Sequence, residues 1–411
     1  MEIVHEVVRR GRWTRADRAA GMWPRLPFEV PAGCGAVEVE LSVAAPDAVV
    51  DLGCEGAGGW RGWCGGARTR FAITPAAATP GYLPGEPEPG EWHVITGLHR
   101  LPESGVDYTV TVRTGGTPRV EEDRPAPPVP ARPPRRELPA APGLRWVAAD
   151  FHAHTLHSDG ELTVPELAAL AVRAGLDALA VTDHNTVAHH AELAAVGSRY
   201  GIALVPGQEI TTEYGHANAF GDIGWVDFRE PAPAWVDTVA TRGGLLSVNH
   251  PLAADCAWRH QLPVRPPLAE VWHTSWLAPD WGGPVAWWEA WGSDTTPLGG
   301  SDWHRDDGTR LGVPTTWVAV DADAGGPDLA GAVLDGLRAG RTAVSAGRDA
   351  PVLLPAGGEL VALDAAGALV VGGGERRAVH SDRDTIPAAG GGGQVLCAHD
   401  GKVLSLAAAP R

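Results

Sequence analysis

The sequence predicts an α/β fold at the centre of the chain, with β-rich segments on either side. Three observations carry this reading. From about residue 145 to 347, short apolar runs alternate with helical patterns. Before and after that stretch, short alternating runs are separated by Gly/Pro clusters, the pattern of small antiparallel sheets. Histidines and acids recur where successive apolar runs end, and eleven of the sixteen histidines fall between His152 and His304.

Residues 1–116 contain the alternating runs Ala36-Val-Glu-Val-Glu-Leu-Ser-Val43 and Asp107-Tyr-Thr-Val-Thr-Val-Arg113, with a turn cluster at Pro84-Gly-Glu-Pro-Glu-Pro-Gly90. They are expected to form a small sandwich or jelly-roll-like domain. Residues 117–144 crowd proline with charge, as in Arg132-Pro-Pro-Arg-Arg136, and read as a linker stiffened towards polyproline II and draped over a surface.

Residues 145–347 then alternate strand and helix. Trp146–Phe151 is a strand candidate. Thr163 and Glu166 form a capping box for a helix that carries Pro165 in its first turn and stops at Gly175. Leu179–Thr182 is a strand ending at Asp183-His184, and a helix is expected over roughly 187–200. Ala203–Pro206 leads to Glu209, Gly244–Val248 to His250, and Leu298–Ser301 to Asp302. Candidate ligands thus sit just past strand C-termini, which in βα folds meet on one face. Residues 348–411 are Gly-, Ala- and Val-rich and are expected to add a short β-rich extension.

Bulk properties narrow the function. A net charge of −17 argues against nucleic acid or an anionic membrane as partner and leaves a small-molecule substrate. Five cysteines without a CxxC pair argue against a disulfide framework and for a reducing, cytoplasmic setting. The N-terminal residues lack the apolar core of a secretion signal, and no apolar run of about 18 residues exists to span a membrane.

His152 and His154 stand two apart, so on an extended segment their rings share a side. With Asp183-His184, Glu209, His216, His250, Asp302 and His304 they read as a multinuclear metal site. The wording is also specific: His152-x-His154 with Ser158-Asp-Gly160, Thr182-Asp-His-Asn185, Gly207-Gln-Glu-Ile210, Gly215-His216, Asn249-His-Pro251 and Gly300-Ser-Asp-Trp-His304. In that order it resembles the PHP (polymerase and histidinol phosphatase) superfamily over residues 148–347. The stretch Glu213–Gly221, with Pro314–Val318, looks most like the branch that includes carbaryl hydrolase.

The resemblance implies a distorted (βα)7 barrel holding three divalent ions. The first would take His152, His154, Glu209 and Asp302; the second Glu209, His216 and His250, with Glu209 bridging; the third Asp159, His184 and His304. Asp159 stands where some members have histidine. Imidazole and carboxylate ligands suit Zn, Mn or Fe. The implied chemistry is hydrolysis by a hydroxide between two ions, with Asp302 or His304 relaying a proton and Asp183 orienting a neighbour. A small phosphate ester is the first substrate expectation. A carboxylic or carbamic ester or an amide is the alternative, and a non-catalytic metal-binding module the remote one.

Other residues carry weaker signals. Arg259, Arg305 and Arg310 are candidates to bind substrate phosphate, against ordinary surface ion pairing. His157 is a looser ligand candidate. His189 and His190 are expected on a helix surface, and His260 and His273 are expected to pack rather than line a pocket. Cys256 as a nucleophile is not favoured. The Trp-rich segment from Trp258 to Trp291 reads as core packing, with an apolar substrate wall as the alternative.

Overall fold

The computed structural model describes residues 5–120, 124–276, 278–292, 294–388 and 391–408. The chain divides into two compact units. The first takes Met1–Pro125 together with Leu156–Asp159 and Asp183–His189; the second takes Ala126–Thr155, Gly160–Thr182 and His190–Arg411.

The first unit is built on two four-stranded antiparallel sheets. One runs His5–Trp13, Val106–Thr114, Val37–Val43, Arg70–Ile73, and the other Arg25–Val30, Gly90–Arg100, Val49–Gly56, Gly59–Trp63. The alternation legible in the sequence decides which face is inner: Val37, Val39 and Leu41 are buried. On the same strand Glu38 points the other way and pairs with Arg70 at 2.6 Å. Val39, Phe71 and Val110 of one sheet share a core with Phe28, Leu52 and Trp92 of the other. Each such side chain contributes about 1.5–3 kcal/mol on burial. The five cysteines are free thiols.

The second unit centres on a mixed sheet of thirteen strands. Its order is Thr296–Gly300, Leu268–His273, Leu245–Val248, Gly215–Phe220, Ala203–Thr212, Ala178–Val181, Leu144–Asp150, Thr315–Asp321, Thr342–Ser345, Val403–Ala407, Gln394–Cys397, Leu369–Gly372, Glu375–Ala378. Parallel pairs, such as Ala178–Val181 beside Ala203–Thr212, alternate with antiparallel ones, such as Gly215–Phe220 beside Leu245–Val248. The short strands Ala178–Val181 and Leu245–Val248 are buried along their whole length, as strands covered on both faces require. Residues beyond 348 continue this sheet through Val403–Ala407, which pairs with Thr342–Ser345.

Five α-helices of this unit are described. Val164–Ala174 begins at the Thr163/Glu166 capping box and ends at Gly175 in the left-handed region (φ 79°), as its sequence signals require. The next helix is His190–Tyr200, three residues later than the expected start. His189 therefore lies before the helix, and it is fully buried rather than on a helix surface. Among the described residues no helix is long and apolar enough to cross a membrane.

The Pro-rich residues 126–142 are strapped to the second unit by arginines. Arg132 donates to the carbonyls of Leu176 and Gly201, and Arg136 to those of Arg348 and Ala350. Arg135 pairs with Asp177 at 3.1 Å, and the buried Asp177 also accepts from Ala148 N. Proline supplies the extended backbone, and arginine supplies the donors that proline lacks. Asp177→Ala is expected to cost about 1–3 kcal/mol by orphaning these donors. Thermal unfolding should show the loss, and limited proteolysis should cut within 126–142; an unchanged midpoint and digestion pattern would refute it.

Candidate metal centre

Two segments of the second unit run side by side. Ala153 pairs in parallel with Trp303, and His154 N donates to Trp303 O at 2.9 Å. This pairing brings His152 and His154 beside Asp302 and His304. His152 and His154 are fully buried. Asp302 Oδ1 lies 3.1 Å from His152 Nε2 and 3.0 Å from His154 Nε2. The His154 and His304 rings stack at 4.1 Å, and His304 Nδ1 lies 2.8 Å from Asp302 O.

Glu209 is the hub. It is fully buried on the strand Ala203–Thr212. Its Oε1 lies 3.2 Å from His152 Nε2, 3.1 Å from His216 Nδ1 and 3.3 Å from His250 Nε2, and its Oε2 lies 3.6 Å from His154 Nε2. His216 reaches it because Gly215–Phe220 folds back antiparallel on the strand of Glu209, with His216 opposite Thr211. His250 follows the strand Leu245–Val248. Asn249 Nδ2 donates to Glu209 Oε1 at 2.8 Å and fixes that oxygen.

Two ligand candidates hold strained backbone. Asp302 has φ 51° and His250 φ 23°, a region that non-glycine residues avoid. Such strain is kept where the surroundings over-determine a functional geometry. Gly300 is required by the same crowding: a Cβ there would stand 2.0 Å from Glu270 Oε1 and 2.6 Å from the Cβ of His152.

A further carboxylate supports this cluster from behind. Glu270 Oε1 lies 3.0 Å from His152 Nδ1, and its Oε2 accepts from His250 N at 2.8 Å. With Nδ1 engaged, His152 turns Nε2 towards Glu209 and Asp302. His273 Nε2 lies 3.3 Å from Asp302 Oδ2, and its Nδ1 is 2.7 Å from Ser275 Oγ. Cys256 Sγ lies 3.4 Å from His250 Nδ1.

The electrostatics are those of tightly paired charges. Burial works against the charge of Asp302, but His152, His154 and His273 outweigh it and hold the carboxyl well below its usual range. Burial likewise opposes a charged His152, yet Asp302, Glu209 and Glu270 raise the ring well above the ordinary imidazole value. Divalent ions fit this donor set, and His152 provides the test. Its buried Nε2 makes no hydrogen bond, although two carboxylate oxygens lie within 3.2 Å. A buried ring nitrogen facing carboxylates without a hydrogen bond is an arrangement that a bound cation would complete. His152, His154, Glu209 and Asp302 would hold one ion, and Glu209, His216 and His250 another.

The remaining ligand candidates belong to the first unit. Asp159 Oδ1 lies 3.5 Å from His184 Nε2. Behind them, Asp183 accepts from Ser158 Oγ at 2.6 Å and lies 3.1 Å from His189 Nδ1. Asp51, on the strand Val49–Gly56, also feels His184: desolvation pushes its carboxyl up to about 7, with His184 opposing the shift.

Other candidates lie elsewhere. Arg259 sits over the Tyr214 ring at 5.9 Å and donates to Glu213 O. Arg310 lines a separate cavity of about 930 Å³ in the second unit with Arg173 and Arg348. Arg305 is exposed. Trp272, Trp276 and Trp288 pack into a core, and Trp281 is exposed.

Sequence reasoning passed over Glu270 and Asp51, quoted Asn249 only as part of a motif, expected His273 to pack, and did not favour Cys256 as a nucleophile. Glu270 did leave a signal, since an acid inside the buried strand Leu268–His273 needs a partner. Nothing in the local pattern marked Asp51.

Residues 150–247 match the PHP domain family. The 5'-3' exoribonuclease Rnm of Escherichia coli (strain K12) is 46% identical over 68 residues, 16% of this chain and 23% of that protein. The 5'-3' exoribonuclease of Haemophilus influenzae is 38% identical over 65 residues, 16% of this chain and 24% of that protein. The chain thus spans about a quarter of the length of these curated relatives. Among solved structures, it is similar to a two-domain protein containing a predicted PHP-like metal-dependent phosphoesterase from Bacteroides vulgatus. That match has 18% identity and a TM-score of 0.41, over 68% of this chain and 92% of that one. An amidohydrolase from Chromobacterium violaceum with bound SO4 matches at 15% identity and TM-score 0.30, over 40% of this chain and 89% of that one.

Two outcomes are expected. Glu270→Gln keeps the shape but removes the charge facing His152, and should weaken metal binding about 10–100-fold in chelator competition; wild-type affinity would count against the supporting role. Asp51 holds its proton more tightly in the native chain, near 7, than its ordinary 3.8, so it costs stability as pH rises through that window. Asp51→Asn in chelated protein should therefore raise the melting temperature more at pH 8 than at pH 5. An equal gain at both values would exclude this origin.

Proposed function

We propose that this chain, a metal-dependent hydrolase carrying a PHP domain over residues 150–247, cleaves phosphate esters. The observation that carries the reading is the fully buried carboxylate of Glu209, ringed by His152, His154, His216 and His250 within 3.6 Å. A further ion is proposed at Asp159 and His184, for three in all. Zn, Mn and Fe all suit these ligands.

Divalent ions bound at these residues lower the pKa of water and offset the charge that develops on phosphoryl oxygens. The chain's residues supply the rest. Glu209 is held by Asn249, and His152 by Glu270, so the ligand atoms are fixed before substrate arrives. Asp302 carries a proton path: one carboxylate oxygen faces His152 and His154, while the other faces His273 Nε2 at 3.3 Å. His304, anchored through Nδ1 near Asp302 O, is placed to serve the leaving oxygen. Arg259, Arg305 and Arg310 are proposed contacts for substrate phosphate.

The relatives named as exoribonucleases make a nucleotide phosphate the first substrate class to try. The charge of −17 disfavours a long nucleic-acid track, whereas a short phosphorylated end needs none. Hydrolysis of a carboxylic or carbamic ester, as in the carbaryl-hydrolase branch, is the second reading. It draws on the Glu213–Gly221 wording, and the burial of Trp272, Trp276 and Trp288 takes three tryptophans out of its aromatic wall.

The test is a substrate panel on Mn- or Zn-loaded protein: p-nitrophenyl phosphate, p-nitrophenyl acetate and a short 5'-phosphorylated RNA. Turnover of phosphate substrates is expected, and Glu209→Gln should lower bound metal and rate together by at least about 100-fold. Turnover of the acetate alone would favour the second reading. No turnover with metal bound would leave a non-catalytic metal-binding module.

A further inference from the structure

The first unit is not only the N-terminal residues. It also contains Leu156–Asp159 and Asp183–His189, two loops that follow strands of the second unit and carry Asp159 and His184. Both loops are tied to one peptide of the N-terminal residues. Gly81 N donates to His157 Nδ1 at 3.2 Å, and Thr186 Oγ1 donates to Gly81 O at 2.8 Å. Arg68 donates to Ser158 O at 3.2 Å, so the first loop is held twice.

The fit at Gly81 is narrow. Its φ is +95°, and a Cβ would lie 2.5 Å from Trp63 O and 2.6 Å from His157 O. Thr186 is 1% exposed, so its hydroxyl has little access to water. The neighbouring Asn185 holds φ 56°, a strained backbone beside His184. The Gly81 peptide thus joins the two loops, as does Ser158 Oγ donating to Asp183 at 2.6 Å, and Asp159 and His184 stand 3.5 Å apart on them.

We propose that the N-terminal β domain is a working part of the ion site at Asp159 and His184: the Gly81 peptide positions these two side chains, so that a divalent ion is held by them only while both of its hydrogen bonds are made. This rests on the metal-dependent reading above. Gly81, Thr186 and His157 act as positioning residues. The sandwich is then required for one ion and not merely for stability. The ligands around Glu209, which lie in the second unit, do not depend on it.

The experiment uses the full chain. Thr186→Val, Thr186→Ser and Gly81→Ala are compared with wild type for Mn or Zn bound per chain by elemental analysis, for affinity by chelator competition, and for melting temperature after chelation. Thr186→Val should lose one ion's binding by about 10–100-fold, the cost of removing a partner behind a ligand. It should keep the other ions and still melt cooperatively after chelation, and Thr186→Ser should restore the lost ion. Gly81→Ala should behave as Thr186→Val does; if it fails to fold, the threonine pair decides. Wild-type stoichiometry and affinity in Thr186→Val would overturn the proposal. Absence of bound metal in the wild type would instead overturn the metal-dependent reading on which it stands.

Discussion

A carboxylate closed off from water must be matched by positive charge, and at Glu209 four imidazoles face it from three segments of the chain. Burying that many ionisable groups without compensation would cost several kcal/mol for each ion. The second unit is organised around meeting this requirement. Its fully buried strands place the ligands, Asn249 and Glu270 hold them from behind, and glycine at 300 lets two segments approach closely. The unusual backbone at His250 and Asp302 falls on two of the ligand candidates.

Much of this site was legible because its ligands obey simple register. His152 and His154 share a side by two-residue periodicity, and Glu209, His250 and Asp302 each follow an apolar run. The helix Val164–Ala174 was equally legible, because its capping box and terminal glycine act locally. The supporting groups were harder to read. Glu270 and His273 sit on a strand whose apolar and aromatic residues suggested packing, and only the fold shows which residues they face. His189 looked like the start of a helix. The chain turns there instead, and its ring is buried against Asp183 because the preceding loop belongs to the first unit. Asp51 and Gly81 lie about a hundred residues from the residues they influence, beyond the reach of any local pattern.

The Pro-rich stretch shows how composition and structure divide the labour. Its prolines excluded helix and strand from the start, but where it would lie was set by three arginines reaching carbonyls and acids of the second unit. An extended segment has no internal hydrogen bonds, so long side chains must supply its anchorage. The arginines of this linker are therefore part of a surface lattice of charge-assisted contacts.

The order of segments in the two units has a consequence for inheritance. Leu156–Asp159 and Asp183–His189 are counted with the N-terminal residues, yet they are encoded in the middle of the second unit. No single cut in the gene separates the two bodies. A β domain exchanged as a cassette would leave both interior stretches without the contacts of Gly81 and Arg68.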